Sequence, residues 1–406
     1  MTAHRPALRA VAPTADPPRI LRPQRAHPDS VVRPTRAEIN LAHLRHNLRV
    51  LRRAAAGAQI WAVLKADAYG HGSKAVARTL ERAGVDGVCV ALLEEAVELR
   101  DAGIRAPILV MGGYYGRALA ELQAHDLIPV VHDAGQVEVL ADEVRYSDGQ
   151  RMDVHVKVDT GMGRLGATAG GVIRVGEALR RHPQLRLTGL MTHFACADSD
   201  DGSVSVHEQL DRFDAATGEL GRMGLVPGVR HAANSAALLR LPRSRLDLVR
   251  PGIAVFGVEP AAGTASALRP VMQIRTQIVA LRELAPGRST GYGSTWTATR
   301  PSRIATIPMG YADGLSRALS NRGHVLVRGR RAPIAGVVSM DMAMVDVTDV
   351  EGVSVGDECV VLGRQQGALG DETITATEIA AQLGTIPWEV LTSVSRRVPR
   401  FYREPC

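Results

Sequence analysis

Only three of the 49 basic residues in this 406-residue chain are lysines: Lys65, Lys74 and Lys157. A guanidinium never deprotonates, whereas an ε-amine can, and can then act as a nucleophile or form an imine. A chain this averse to lysine should keep it where arginine would fail. Lys65 closes the apolar run Ala62-Val63-Leu64 and precedes Ala66-Asp67-Ala68-Tyr69-Gly70-His71-Gly72. The apolar residues before it should desolvate the amine and lower its pKa, suiting it to act as nucleophile or base. The blander alternative is a lysine that caps a strand and finds a carboxylate. Lys74 falls inside a helical pattern and reads as solvated surface.

Two other strand ends carry polar groups. Asn234 and Ser235 follow one apolar run, and Arg250, Gly252 and Ile253 follow the next. Gly252 permits close backbone approach, and the Ser235 hydroxyl and backbone N–H groups can donate to phosphate oxygens. Taken alone, Ser and Gly after a strand are ordinary turn residues. A phosphate cup facing an imine-forming lysine is a more specific pair, and it suggests pyridoxal 5′-phosphate (PLP). Lys157 and Arg164 flank the glycine-rich stretch Asp159-Thr160-Gly161-Met162-Gly163, which reads as a tight loop with a structural arginine. His193 ends another apolar run, where a lone histidine is more often a satisfied core group than a catalyst. Tyr292 lies between Gly291 and Gly293, with little local packing to justify it. A phenol near cations can serve as a general acid or base.

The elements that must position these residues alternate in type. Candidate strands are Ala37–Leu41, Ile60–Lys65, Gly87–Ala91, Ile108–Met111, Ile128–Val131, Val154–Val158, Leu187–Thr192, Val229–Ala232 and Leu246–Val249. Helical periods lie between them, over Leu44–Ala56, Lys74–Ala83, Leu93–Ala102, Arg117–Ala124, Val172–Arg181 and His207–Arg222. Apolar strands alternating with amphipathic helices imply βαβ units of a parallel sheet. The spacing predicts a (β/α)8 barrel of TIM type over residues 37–270, in which catalytic groups come from the C-terminal ends of the strands. An open doubly wound sheet is the alternative, but no GxGxxG follows the first strand. From residue 271 the texture changes to short β runs, the first over Val271–Leu284, with one helix at Thr375–Leu383. Residues 271–406 are expected to form a second, mostly β domain. Residues 1–36 hold seven of the 22 prolines and read as a disordered extension.

The net charge of +7 is largely a property of that extension, which carries seven arginines and two acids. Aromatics make up 3% of the chain. Both facts argue against a nucleic-acid surface. No apolar run approaches the length of a membrane span. The four cysteines, Cys89, Cys196, Cys359 and Cys406, lie far apart with no CxxC pair. That spacing points to a reducing cytoplasm, with no zinc or other metal site.

In combination these motifs resemble the alanine racemases, PLP enzymes built of a barrel and a β domain. The match runs from about Ala37 to Arg403 through Ala62–Gly72, Lys157–Gly166, His231–Ala237, Arg250–Gly257, Gly291–Ala298, Ile307–Gly314 and Met340–Asp341. The resemblance implies that Lys65 forms the imine with the cofactor. It implies that Tyr69, Asn234, Ser235, Gly252 and Ile253 lie at the cofactor, the phosphate among them, and that Arg250 faces the pyridine nitrogen. His193 would stack on the ring, and Arg164 would bond on the phenolic-oxygen side. Met340 would offer its backbone N–H to the substrate carboxylate, with Arg164 beside it. Lys157 would be carbamylated and would buttress Arg164. Racemisation would use two bases, Lys65 for the D-isomer and Tyr292 for the L-isomer. Tyr292 would come from the partner subunit of a homodimer. A cytoplasmic supply of D-alanine for peptidoglycan precursors is the implied role; a catabolic role is the alternative.

Two positions depart from the family pattern. Arg396 stands where a tyrosine usually precedes Arg-Val-Pro-Arg, and Val337 stands where an arginine is usual. These leave room for a broader substrate range. A PLP decarboxylase of the same architecture would want an acid at the pyridine nitrogen, and Arg250 argues against it.

Overall fold

The computed structural model describes residues 32–113, 118–145, 151–199, 205–264 and 267–404. Most of the extension expected over residues 1–36 lies outside them. Its last residues are described, and they are packed: Thr35 is fully buried and Arg33 bonds to Asp313.

The first strand, β1 (Arg36–Asn40), is followed by eight that close into a parallel barrel. These are β2 (Gln59–Val63), β3 (Gly87–Val90), β4 (Ile108–Val110), β5 (Ile128–Val131), β6 (Met152–Lys157), β7 (Leu185–Met191), β8 (Val229–His231) and β9 (Leu248–Val249). They pair in chain order, and β9 returns to β2 through Gln59↔Leu248. All four residues of β3 are buried, because a parallel barrel strand is covered on both faces. Between the strands run the helices, among them Leu41–Ala55, Ser73–Arg82, Leu93–Asp101, Ala169–Arg181 and Val206–Arg222. The first is apolar at Leu41, Leu44, Leu48, Leu51 and Ala55, a stripe at helical spacing, and Asn40 caps it by accepting from the His43 N–H at 3.0 Å.

The strand expected at Ala37–Leu41 as the opening of the barrel belongs elsewhere. It pairs antiparallel with Met272–Gln277 and parallel with Arg400–Arg403, inside the main sheet of the C-terminal domain. That sheet runs in the order 330–333, 324–327, 358–367, 272–277, 36–40, 400–403, with 370–374 added at the side of 358–367. The run expected over Val271–Leu284 breaks at Ile278 and Val279. Its second half, Ala280–Leu284, pairs in a separate three-stranded sheet with Ser302–Ile307 and Ala343–Asp346. Three helices were not evident in the sequence: Ala134–Arg145, Ser235–Arg240 and Pro387–Thr392.

Buried Asn47 ties the first helix to the segment that follows β9. Its amide donates to the carbonyls of Val255 and Arg269, at 3.0 and 2.8 Å, and accepts from the Arg269 N–H. Among the described residues no helix is long and apolar enough to cross a membrane.

Candidate active site

Lys65 leaves the end of β2 and opens a single turn, Lys65–Tyr69, of unusual hand. Ala66, Asp67, Ala68 and Tyr69 take φ values of 51°, 56°, 54° and 52°. Left-handed backbone costs an L-residue roughly 1–2 kcal/mol, so four in succession must be held from outside. Four groups hold them. One Glu95 oxygen accepts from the Ala66 N–H at 2.6 Å, while the other accepts from Ala91 and Leu92 at 2.8 and 3.1 Å. Asp67 accepts from the Ser73 N–H at 2.8 Å. Nδ1 of His71 lies 2.9 Å from the carbonyls of both Ala68 and Tyr69 and therefore carries the hydrogen. Arg400 donates to the Gly70 carbonyl at 2.9 Å. The same buried guanidinium donates to the carbonyls of Val394, Ser395 and Val398, and so fastens the end of the C-terminal domain onto the turn.

Burial holds the Lys65 amine below its ordinary value of 10.5, Arg164 lowers it further, and Glu95 opposes them. Lys157, at the end of β6, is pulled down to about 8, by burial first and then by Arg164, Arg250 and Lys65; Asp159 pulls the other way. His193 drops to about 3 through burial and the charges of Arg250, Lys157, Arg164 and Lys65. These mutual influences place Lys65, Lys157, Arg164, His193 and Arg250 together at the barrel mouth. Four cations against the carboxylates of Glu95 and Asp159 favour an anionic ligand there. Arg164 sits on a loop that Asp159 organises, accepting from the N–H groups of Gly161, Met162 and Gly163.

The ends of β8 and β9 form a cup. Ser235 Oγ accepts from the N–H groups of Gly252 and Ala254 at 2.9 and 3.3 Å, joining the two strand ends. Tyr69 is buried beside it with its ring 5.2 Å from that of Phe256, and burial pushes its phenol up. Ile253 opens the short 3-10 turn Ile253–Phe256. Asn234 acts locally, its side-chain oxygen capping the helix Ser235–Arg240 by accepting from the Ala237 N–H. The cup suits a phosphate: a hydroxyl, a phenol and backbone N–H groups converge where Gly252 has no Cβ to fill the space.

Arg250 is buried and held through its two terminal nitrogens. It donates to the carbonyls of Thr192 and Ala232, at 2.7 and 3.1 Å, and to Nδ1 of His231 at 2.7 Å. An accepting Nδ1 puts the His231 hydrogen on Nε2, which donates to Nδ1 of His155 at 2.9 Å. Burial and the Arg250 charge keep both rings neutral, His155 at about 3 and His231 well below 6.5. Desolvation lowers Arg250 to about 10, so it remains a cation at neutral pH.

Tyr292 and Met340 stand apart from this group, on the surface of the C-terminal domain, 73% and 51% exposed. Arg396 lines a cleft of about 950 Å³ together with Leu64, Ala66, Glu95 and Arg400. Glu95, Arg400 and His231 were not singled out in the sequence. Only Glu95 carried a local signal, an acid three residues into a helix that follows a strand, where a capping carboxylate is expected. Lys74 pairs with Glu98 at 3.2 Å on the surface.

Residues 39–260 match the family described as alanine racemase, N-terminal domain, and residues 271–402 match alanine racemase, C-terminal domain. An alanine racemase of Sorangium cellulosum is 64% identical over 380 residues, covering 92% of this chain and all of that protein. One from Symbiobacterium thermophilum is 45% identical, with 91% and 97% of the two chains covered. Among solved structures, alanine racemase from Streptomyces coelicolor A3(2) superposes with a TM-score of 0.86 at 38% identity, over 92% of this chain and 99% of that one. The Bacillus anthracis enzyme with bound L-Ala-P gives a TM-score of 0.85 at 34% identity, over 92% and 96%. With both halves of the chain matched and relatives this similar along nearly their whole length, the chain belongs to the alanine racemase family.

Proposed function

We propose that the chain interconverts L- and D-alanine with PLP in the barrel cup, moving the α-proton between two bases. The reaction is that of the family; the cofactor and the residue roles are our own assignment. The observation that carries it is a lysine at a strand end whose amine is held below its ordinary pKa among Lys157, Arg164, His193 and Arg250. We assign the cofactor to the barrel, up to about residue 270, and Tyr292 and Met340 to the β-rich part that follows.

Ser235, Tyr69, Gly252 and Ile253 would hold the phosphate, with Asn234 shaping the loop through its cap. Arg250 would face the pyridine nitrogen, His193 the ring and Arg164 the phenolic oxygen. When bound, PLP supplies an aldehyde that condenses with amines and a ring that draws electron density from the substrate α-carbon. The chain's own residues do the rest. Racemisation removes a proton from one face of the α-carbon and returns one to the other. A single base would have to swing across the substrate, so a base on each face is the simpler design. Lys65 Nζ, whose pKa burial and the Arg164 charge lower, takes the proton of the D-isomer. Tyr292 Oη, contributed by a second copy of the chain, takes that of the L-isomer. Arg250, fixed by Thr192, Ala232 and His231, keeps its own proton and discourages another at the atom it faces. Met340 N–H and Arg164 hold the substrate carboxylate.

The exposed Tyr292, Tyr311, Met340 and Met342 on one domain support a homodimer that covers them. The dispersed, unpaired cysteines Cys89, Cys196 and Cys359 support a cytoplasmic location, and D-alanine supply for peptidoglycan precursors is the proposed role. Carbamylation of Lys157 is supported by its lowered pKa, since only a free amine adds carbon dioxide.

The test is incubation with L-alanine in deuterated water. α-Deuteration with loss of optical activity is expected, and Lys65→Arg should abolish both. A protein that takes up no PLP, or a Lys65→Arg variant with substantial turnover, would overturn the reading. A wider substrate range is a second reading, favoured by Arg396 on the cleft wall; a racemisation screen over alanine, serine and larger amino acids decides it.

A further inference from the structure

Asp313 is fully buried in the loop Gly310-Tyr311-Ala312-Asp313-Gly314, and a buried carboxylate needs partners. Its partner with the closest fit is Arg33, three residues before the first strand. The guanidinium reaches both carboxylate oxygens, at 2.9 and 2.8 Å, and also donates to the Arg397 carbonyl at 3.2 Å. Such two-pronged pairs fix geometry as well as charge. Asp313 in turn accepts from the Gly310 N–H at 3.1 Å, and its own carbonyl accepts from the Ser395 N–H at 3.1 Å. Arg397 approaches Asp313 at 3.5 Å and bonds to Asp341 at 2.7 Å.

The loop is laced to the segment that holds Met340. Tyr311 N–H donates to the Ser339 carbonyl and Ala312 N–H to the Met340 carbonyl, both at 3.0 Å. Three segments therefore meet around Asp313: 310–314, 395–397, which touches it directly, and 339–341, which bonds to Tyr311, Ala312 and Arg397. Among the contacts described above, Ser235, Gly252 and Tyr69 do not touch this junction; Arg400 reaches it from the turn after Lys65, donating to both Ser395 and Gly70. We infer that Arg33 is a positioning residue for the substrate-carboxylate contact at Met340, acting through Asp313. This rests on the reading of Met340 given under the proposed function. Losing Arg33 leaves a buried charge with only Arg397 and one N–H beside it, and the Gly310–Gly314 loop then shifts against Met340. Substrate binding suffers, while PLP binding and the proton transfers do not.

The test uses the full-length, PLP-loaded protein. Arg33→Lys keeps the charge and loses the two-pronged geometry, and it avoids the folding hazard of Arg33→Ala. KM for alanine should rise about fivefold, with kcat and the PLP dissociation constant within about twofold of wild type. Amide exchange of peptides spanning 310–342 should quicken without substrate. The pair should also behave as one unit: Arg33→Gln with Asp313→Asn should raise KM about as much as either change alone, not by their product. Wild-type KM in an Arg33→Lys protein that is merely less heat-stable would sink the inference. So would parallel losses of kcat, PLP affinity and KM, or multiplicative single effects. Failure of the wild-type protein to racemise alanine or bind PLP would instead sink the proposed function, so the two failures are distinguishable.

Discussion

The Tyr69 hydroxyl lies 2.3 Å from where a Cβ on Gly252 would stand, and its ring carbon Cζ lies 3.0 Å away. Gly252 is thus what lets Tyr69 reach the cup. Gly252→Ala must displace the phenol, which is buried and cannot retreat freely. PLP affinity should fall about tenfold or more, read by equilibrium dialysis or by absorbance of the bound cofactor. Affinity equal to wild type would show that Tyr69 does not line the phosphate site.

The left-handed turn after Lys65 makes an unusual stability prediction. Ala66 is exposed and sits at φ 51°, where an alanine is strained and a glycine is not. Ala66→Gly should leave stability unchanged or raise it by up to about 1 kcal/mol, measured by urea denaturation. The same change in an ordinary helix lowers stability by about that amount. A loss of more than about 1 kcal/mol would mean that the turn does not have this hand.

Arg250 depends on His231 as an acceptor. His231→Leu would leave a buried guanidinium N–H unpaired, at a cost of about 1–3 kcal/mol or more. His231→Gln offers an acceptor of similar reach and should recover part of that. Because both rings of the relay titrate far below neutrality, the kcat profile between pH 6 and 9 should keep its shape in His231→Gln. A new ionisation in that window would assign His231 a proton-transfer role.

Lys157 gives a pH dependence with a definite sign. Its folded-state value is about 8 against an ordinary 10.5. Between those pH values the unfolded chain binds the proton that the folded chain has lost, so the contribution of Lys157 to stability rises with pH across the window. In buffers freed of carbon dioxide, denaturation midpoints at pH 8 and 10 should show this rise. Lys157→Met should lack it. Near pH 8 about half of the amine is free, far more than for an exposed lysine. Activity should therefore fall on removal of carbon dioxide and return with bicarbonate. Indifference to bicarbonate, with Lys157→Met still fully active, would remove any carbamate from the mechanism.

Much of the barrel was legible because its signal is local. Runs such as Ile128–Val131 are apolar on both faces and bounded by turns, and they appear where expected. Lys65 stood out through scarcity and position. What escaped was information that exists only between distant segments. The strand at residues 36–40 looks like any barrel strand until its neighbours, Met272–Gln277 and Arg400–Arg403, are known. The break at Ile278-Val279 carries no glycine or proline, so two strands read as one. Left-handed backbone at Ala66-Asp67-Ala68 is equally silent, since it is imposed by Glu95, His71 and Arg400 rather than by glycines. The meaning of Arg400 lies in four carbonyls, one of them more than 300 residues away at Gly70.

The strand at residues 36–40 emerges from the ribosome before the barrel, yet both of its sheet neighbours follow it. During vectorial synthesis it must wait, unpaired, while β2–β9 are made. Its last neighbour begins at Arg400, the residue that also braces the turn after Lys65. Translation therefore withholds this clamp on the turn after Lys65 until Arg400 has been made. A chain terminated before Arg400 would own every strand of the barrel and still lack the brace on the turn that follows Lys65.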